Sequence, residues 1–394
     1  MDVFLTPSLE PLDHDVLRLI EELRETMRSR VSEPRRWYGS LRRMTLVRAV
    51  QGSNSVEGYN ASLDDVAAAV DGEPTLDASD ETAMALAGYR DAMTYVLQVA
   101  QDPHVQVDEG LLKAMHFMML KHDIDKWPGR WRPGDIFVRN DQSGDIVYEG
   151  PAADDVPPLI SAMLARLDMD SGPVLVRAAM VHLNLVMVHP FRDGNGRMAR
   201  ALQTLVLAKE QIVAPVFSSI EEYIGRNTRA YYDVLADVGA GSWNPQRSAQ
   251  PWVRYCLTAH YRQAKTHLRR IEEIEQLYSE CVRTAREHGL PERVVGGLVE
   301  AAYGLRLRNA TYRRAVEQTD GEPISELTAS RDLKATVDAG LLVAHGRTRG
   351  SYYLASEALR ESWQGVRQAR PPRDEYDPFV VAAQRRQLTL DTGG

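Results

Sequence analysis

Cysteine is nearly absent from this chain of 394 residues: Cys256 and Cys281 are its two, both inside stretches with helical periodicity. Two thiols support neither a disulfide framework nor a zinc site, so a reducing compartment is expected. Long apolar runs are missing as well. The longest, around Val174 to Val188, is broken by Arg177, His182 and Asn184, short of the ~18 uninterrupted apolar residues of a membrane span. The opening residues, MDVFLTPSLEPLDHD, lack the basic start and apolar core of a secretory signal. No membrane partner and a cytoplasmic location are therefore expected by elimination. Positive charge is not in excess either. A net charge of −8 argues against a protein whose main task is coating nucleic acid, yet it leaves room for a local basic site. No internal repeat is visible.

What is present is an ordinary globular balance, 44% hydrophobic and 26% charged, on a chain long enough for two or three domains. Apolar residues recur at three and four over Leu17 to Arg28, Met84 to Val99, Leu111 to Lys121, Val174 to Val188, Met198 to Ile212 and Val253 to Ala285, which predicts a mainly α fold. Two segments break the rule. Residues 135–149 alternate around Asp141-Gln142-Ser143-Gly144, and Leu341 to Leu354 alternate around Gly346 and Gly350. Both read as β-hairpins. His288-Gly289-Leu290-Pro291 is a helix stop and marks a boundary. The expected organisation is a helical region over 1–110, a core over 111–288, a smaller domain over 289–360 and a partly disordered tail over 361–394, whose segment from Arg370 is rich in proline and charge.

Residues 189–200, HPFRDGNGRMAR, join two helical stretches through a glycine-rich loop. Gly194 and Gly196 flank Asn195 and let successive N–H groups turn inward. A nest of that kind leading into a helix N-terminus binds anions by geometry and dipole. Arg197 and Arg200 lie three apart on the first turn of the next helix, so both reach the same phosphates. Asp193 offers the hard oxygen that suits Mg²⁺. His189 titrates near neutrality and can act as a general base, and Phe191 is an apolar anchor for the loop.

This segment resembles the Fic family signature HPFx[D/E]GNGRxxR, with every specified position filled. The resemblance implies a mainly helical Fic core with a β-hairpin flap. It also implies a protein adenylyltransferase, in which His189 takes the proton of a Ser, Thr or Tyr hydroxyl that attacks the α-phosphate of ATP. Asp193 would hold Mg²⁺, Gly194, Asn195 and Gly196 the α- and β-phosphates, and Arg197 and Arg200 the β- and γ-phosphates. Pro128-Gly129-Arg130-Trp131-Arg132 leads into the 135–149 hairpin, which is similar to the family's flap; Ile136, Val138 and Tyr148 are its candidate target contacts. Tyr231 and Tyr232 resemble the aromatic pair of the adenine pocket, with simple packing as the other reading. His116 and His182 read as structural. Upstream, Ser53-Asn54-Ser55-Val56-Glu57-Gly58 is similar to the inhibitory pattern [S/T]xxxE[G/N], which would set Glu57 against Arg200 and make the resting enzyme mostly inactive, with Ser53 opening the pattern.

Residues 290–356 resemble a winged helix-turn-helix, with Ser330, Arg331 and Lys334 on the recognition helix and Arg347 and Arg349 on the wing. DNA is one reading of its partner and protein docking or a homodimer another, since Glu326, Asp332 and Asp338 leave the charge mixed. The partner of the core is a target protein or the chain itself. A regulator that senses nucleotide through its Fic core, transfer of another group and removal of AMP stay open beside adenylylation.

Overall fold

Serine and aspartate open many of the helices. The side chains of Ser62, Ser79, Asp108, Ser325 and Ser356 each accept the backbone N–H three residues on, which satisfies a donor that a helix start leaves unpaired. A computed structural model describes residues 2–32, 35–139, 144–210, 215–346, 351–370 and 377–392. The first half of the chain runs through α1 (Pro11–Val31), α2 (Tyr38–Val56), α3 (Leu63–Asp71), α4 (Asp80–Val99), α5 (Glu109–Leu120), strands β1 (Phe137–Arg139) and β2 (Ile146–Glu149), α6 (Val156–Met169), α7 (Val174–Val188) and α8 (Asn195–Lys209). Then come α9 (Glu221–Arg226), α10 (Thr228–Gly239), α11 (Gln250–Glu287), α12 (Val294–Ala302), α13 (Asn309–Asp320), α14 (Glu326–Asp338), strands β3 (Leu342–His345) and β4 (Tyr352–Ala355), α15 (Glu357–Gln368) and α16 (Pro378–Thr392). The fold is mainly helical, with two antiparallel hairpins among the described residues. No helix there is long and apolar enough to cross a membrane.

Helix α7 is apolar on nearly every face because it is buried on nearly every face, packed by α6, α8 and α11. With α8 it forms the centre of the larger core, which includes Leu183, Leu185, Phe191, Met198, Leu202 and Trp252. A second core gathers Ile271, Ile274 and Leu277 of α11 with Val295, Leu298, Tyr312 and Leu333. The division between the two does not fall at the stop signal around Gly289. It lies within the 38-residue α11, whose first half belongs to the larger core and second half to the smaller. Helix α2 does the same: Trp37 and Leu41 at its start join the second core, Met44, Val47 and Val50 the first.

In the smaller unit Leu307 exchanges both backbone hydrogen bonds with Tyr353 at 2.8 Å, so one extended residue before α13 adds to the β3–β4 hairpin. The hairpin turns expected at 141–143 and 347–350, with Arg347 and Arg349, lie outside the described residues, as do 371–376. Part of the tail, expected to be partly disordered, is regular structure. Residues Pro378–Thr392 form α16, which packs on α1, buries Ala382 and pairs Arg385 with Glu22 at 2.8 Å.

Candidate active site

Helix α7 ends at His189, whose backbone is left-handed (φ 52°) and whose N–H still donates to Leu185 O at 3.0 Å. That turn throws the next residues across the start of α8. Three contacts fix their path. Phe191, fully buried, stacks on the His116 ring at 3.7 Å and meets Trp131 at 4.9 Å. The Asn195 amide spans the loop, with Oδ1 accepting from Phe191 N and Nδ2 donating to Phe191 O, both at 2.9 Å. Buried Arg132 donates through its backbone to Pro190 O and through Nε to His189 O, each at 2.9 Å. Gly194 then takes φ 76° and hands the chain into α8, a conformation that a side chain disfavours.

The histidines carry assigned tautomers. His116 Nδ1 accepts from Gly129 N at 2.8 Å, so its Nε2 carries the proton donated to Asp193 O at 3.0 Å. Burial pulls its pKa down to about 4, which keeps the ring neutral. At His189 the partner of Nδ1 is the Val186 carbonyl at 3.1 Å. A carbonyl only accepts, so Nδ1 carries the proton and Nε2 holds the lone pair. Burial lowers the His189 pKa, while the Val186 carbonyl pulls the other way. A neutral ring with a free basic nitrogen follows.

Around this base stand the charges. Arg197 and Arg200 are each 1% exposed. Arg200 donates through Nε to Ser53 Oγ (2.8 Å), and through Nη2 to Ser53 O (2.9 Å) and Glu57 Oε1 (2.6 Å). Its Nη1, with Nε and Nη1 of Arg197, is buried without a hydrogen-bond partner. Tyr59 lays its ring 5.1 Å from the Arg197 guanidinium. The Glu57 carboxylate lies so close to the start of α8 that a Cβ on Gly196 would stand 2.4 Å from Oε1. Gly196 is thus required for close approach, whereas Gly194 is required for its backbone angle. Asp193 receives Gly194 N–H on Oδ1 at 2.6 Å and the Lys126 ammonium on Oδ2 at 2.5 Å. Burial works against its ionisation, but the Lys126 hydrogen bond, the charges of Arg197 and Lys126 and the Gly194 N–H together outweigh it, so its pKa is lowered.

Residues 106–207, from the strand of chain before α5 to the end of α8, match the Fic/DOC family. They are a Fic domain. A protein adenylyltransferase Fic of Nematostella vectensis is 25% identical over 255 residues, 61% of this chain and 54% of that one. A protein adenylyltransferase fic-1 of Caenorhabditis briggsae is 46% identical over 80 residues, 20% of this chain and 13% of that one. The chain thus spans about half the length of the first relative and far less of the second. A solved Fic family protein from Desulfovibrio desulfuricans G20 shares the fold, with a TM-score of 0.57 at 23% identity over 89% of this chain and 98% of that one.

Within the Fic domain and its surroundings, the structure brings together His189, Asp193, Gly194, Gly196, Arg197, Arg200, Ser53 and Glu57. Asn195 is close by, with both ends of its side-chain amide bonded to the Phe191 backbone across the loop. Tyr231 departs from an adenine-facing position. It is 1% exposed, and its hydroxyl pairs with His182 Nε2 at 3.0 Å beneath a cluster with Trp252 and Tyr255, because its face of α10 packs on α11. Tyr232 on the other face is 48% exposed and donates to Val56 O at 3.1 Å. In the flap, Tyr148 is also no exposed contact: it is buried and donates to Met187 O at 2.8 Å, which ties the hairpin to α7. Its cross-strand neighbour Val138 packs half-buried on the core, and Ile136 is half-buried. The exposed apolar side chains of the flap are Phe137, Ile146 and Val147; Ile146 and Val147 are consecutive, so alternation alone could not have flagged both. Lys126, Tyr59 and the anchoring by Arg132 were equally unseen, for they reach the site through tertiary folding.

Proposed function

We propose that this chain transfers AMP from ATP to a Ser, Thr or Tyr hydroxyl of a protein, itself included, and that Glu57 holds the resting state inactive. The observation that carries the reading is the set of buried, partnerless guanidinium atoms of Arg197 and Arg200 at a glycine-rich helix start, beside a neutral histidine with a free basic nitrogen. Buried donators of this charge call for an anion. A triphosphate seated on the loop would satisfy them.

In that reaction the target hydroxyl gives its proton to His189 Nε2 as its oxygen bonds to the α-phosphorus. The bond to the bridging oxygen breaks and pyrophosphate leaves. Nest amides at Gly194 and Gly196 and the two arginines orient the phosphates and hold the charge that develops, so catalysis rests on positioning and electrostatics. Asp193 fits Mg²⁺: it is a partly exposed carboxylate already drawing a cation. A Mg²⁺ held there would take its other ligands from phosphate and water and neutralise developing charge. The target segment would add to the outer edge of β1. The opposite edge of the hairpin is already used, by Glu149 against Gly241 and Trp243 at 3.0 Å each. Helices α12 to α14 with β3–β4 are read as a winged helix that serves docking. Two buried, unbridged cysteines fit a cytoplasmic setting.

The test is incorporation of label from α-labelled ATP into protein by wild type, Glu57→Gly and His189→Ala. Label should appear with Glu57→Gly and vanish when His189→Ala is added to it. Glu57→Gly without any labelled protein, self-labelling included, removes the adenylylation reading.

A further inference from the structure

Lys126 lies outside the 189–200 signature. It closes a single 3-10 turn, Ile124–Lys126, after which Trp127 turns left-handed (φ 56°) and the chain enters Pro128-Gly129. Gly129 is the residue whose N–H fixes His116, and His116 in turn holds Asp193 O. The turn that presents Lys126 is therefore fastened to the loop that presents Asp193. Its ammonium sits 2.5 Å from Asp193 Oδ2, with both side chains about one-third exposed.

The bookkeeping of charge around the α8 start gives this contact meaning. Lys126, Arg197 and Arg200 stand against Asp193 and Glu57. A nucleotide triphosphate must displace Glu57 from Arg200, and a divalent cation travelling with it would claim the oxygen that Lys126 now holds. Lys126 would then face a polyphosphate from one residue away, since Gly194 N–H, part of the nest, is bonded to the same carboxylate. Lysine suits that exchange: a compact ammonium on a four-carbon stem moves between acceptors without a fixed fork geometry. A partly exposed ion pair also contributes little to stability, so releasing it costs little.

We propose that Lys126 is a phosphate-binding residue of the nucleotide site, resting on Asp193 in the nucleotide-free chain and passing to the polyphosphate when nucleotide binds. This rests on the reading of the site as a nucleotide site. The test is calorimetric binding of ATP with Mg²⁺, and of adenosine, to the full chain carrying Glu57→Gly, with Lys126→Met or Lys126→Arg added. Lys126→Met should weaken ATP about tenfold, about 1.4 kcal/mol, with adenosine affinity and melting temperature unchanged. Lys126→Arg should stay within about threefold, because the charge is kept. Equal ATP affinity of Lys126→Met and its parent overturns the proposal, as does an equal loss for ATP and adenosine, the mark of a merely structural role. A parent that binds no ATP overturns the nucleotide site as a whole, a different failure.

Discussion

Glu57→Gly separates the two partners that compete for Arg200. In the structure Glu57 Oε1 lies 2.6 Å from Nη2, with the Arg200 side chain fully buried and Glu57 a quarter exposed. A charge-assisted hydrogen bond of this kind contributes roughly 1.5–3 kcal/mol, and the exposed edge of Glu57 favours the lower end. Dividing by about 1.4 kcal/mol per decade gives a bias of roughly ten- to hundredfold against any state in which phosphate holds Arg200. Sterics act in the same direction, because the carboxylate presses on Gly196 where the nest opens. Glu57→Gly should therefore tighten ATP and raise AMP labelling by about that factor, and Glu57→Gln, which keeps the bulk and loses the charge, should fall between. Arg200 keeps its two bonds to Ser53 but loses its counter-charge, so the variant should melt lower than wild type, by about 1–3 kcal/mol, and recover as ATP binds. Isothermal calorimetry, labelling with α-labelled ATP and thermal melts measure each part. Unchanged affinity and labelling in Glu57→Gly would refute the reasoning, however short the contact.

The remaining expectations concern protons, packing and the smaller unit. Burial lowers the His189 pKa from its usual value, so the base is already unprotonated at neutrality. The kcat/KM profile of Glu57→Gly should be flat through pH 7 and fall only below about 6.5; an acid limb above 7 would exclude His189 as the base. His116 is pulled down to about 4 and His182, His260 and His267 to about 3 by burial. Between these values and the unfolded value of about 6.5 the unfolded chain binds more protons, so stability rises with pH there. Melts should hold steady above pH 6.5 and drop progressively below it. Gly52 lets α2 cross α9 so closely that a Cβ would stand 2.5 Å from Glu221 O. Gly52→Val should cost about 1–3 kcal/mol and, by lifting the end of α2, raise labelling as Glu57 leaves Arg200; a destabilised variant with wild-type labelling would contradict that. On α14, Glu326, Arg331, Lys334 and Asp338 are all exposed, so the surface is mixed in charge, and Lys334 is paired with Asp338 at 2.8 Å. A mobility shift should therefore be absent at about 0.15 M salt, and a salt-steep shift persisting there would restore DNA as the partner.

How far the sequence could be read depends on how local each interaction is. The base, the nest and both arginines fall within twelve contiguous residues, and α7 spans Val174–Val188 as its apolar pattern predicts. Chemistry held in one loop is legible because chain connectivity alone brings it together. Glu57 was legible for another reason, its resemblance to a known pattern, while the seating that places it comes from the Gly52 crossing and no local rule states that. Alternation in the flap announced a hairpin but not its buried side, since Phe137, Val138, Ile146 and Val147 put apolar groups on both faces; only Tyr148 reaching Met187 decides it. The same limit explains Tyr231 and Tyr232. Adjacent residues on a helix point about 100° apart, so a pair read as one wall becomes a core residue and a surface residue. Helix α16 was hidden by the proline- and charge-rich segment before it, although its value is positional: it docks on α1 through Arg385 and Ala382. Lys126 is the sharpest case. Nothing in its neighbours marks it, and it becomes chemically meaningful only when Gly129, His116 and Asp193 are joined in space. Residues that hold a site between catalytic events are expected to be of this kind, because they bind the catalytic groups rather than resemble them.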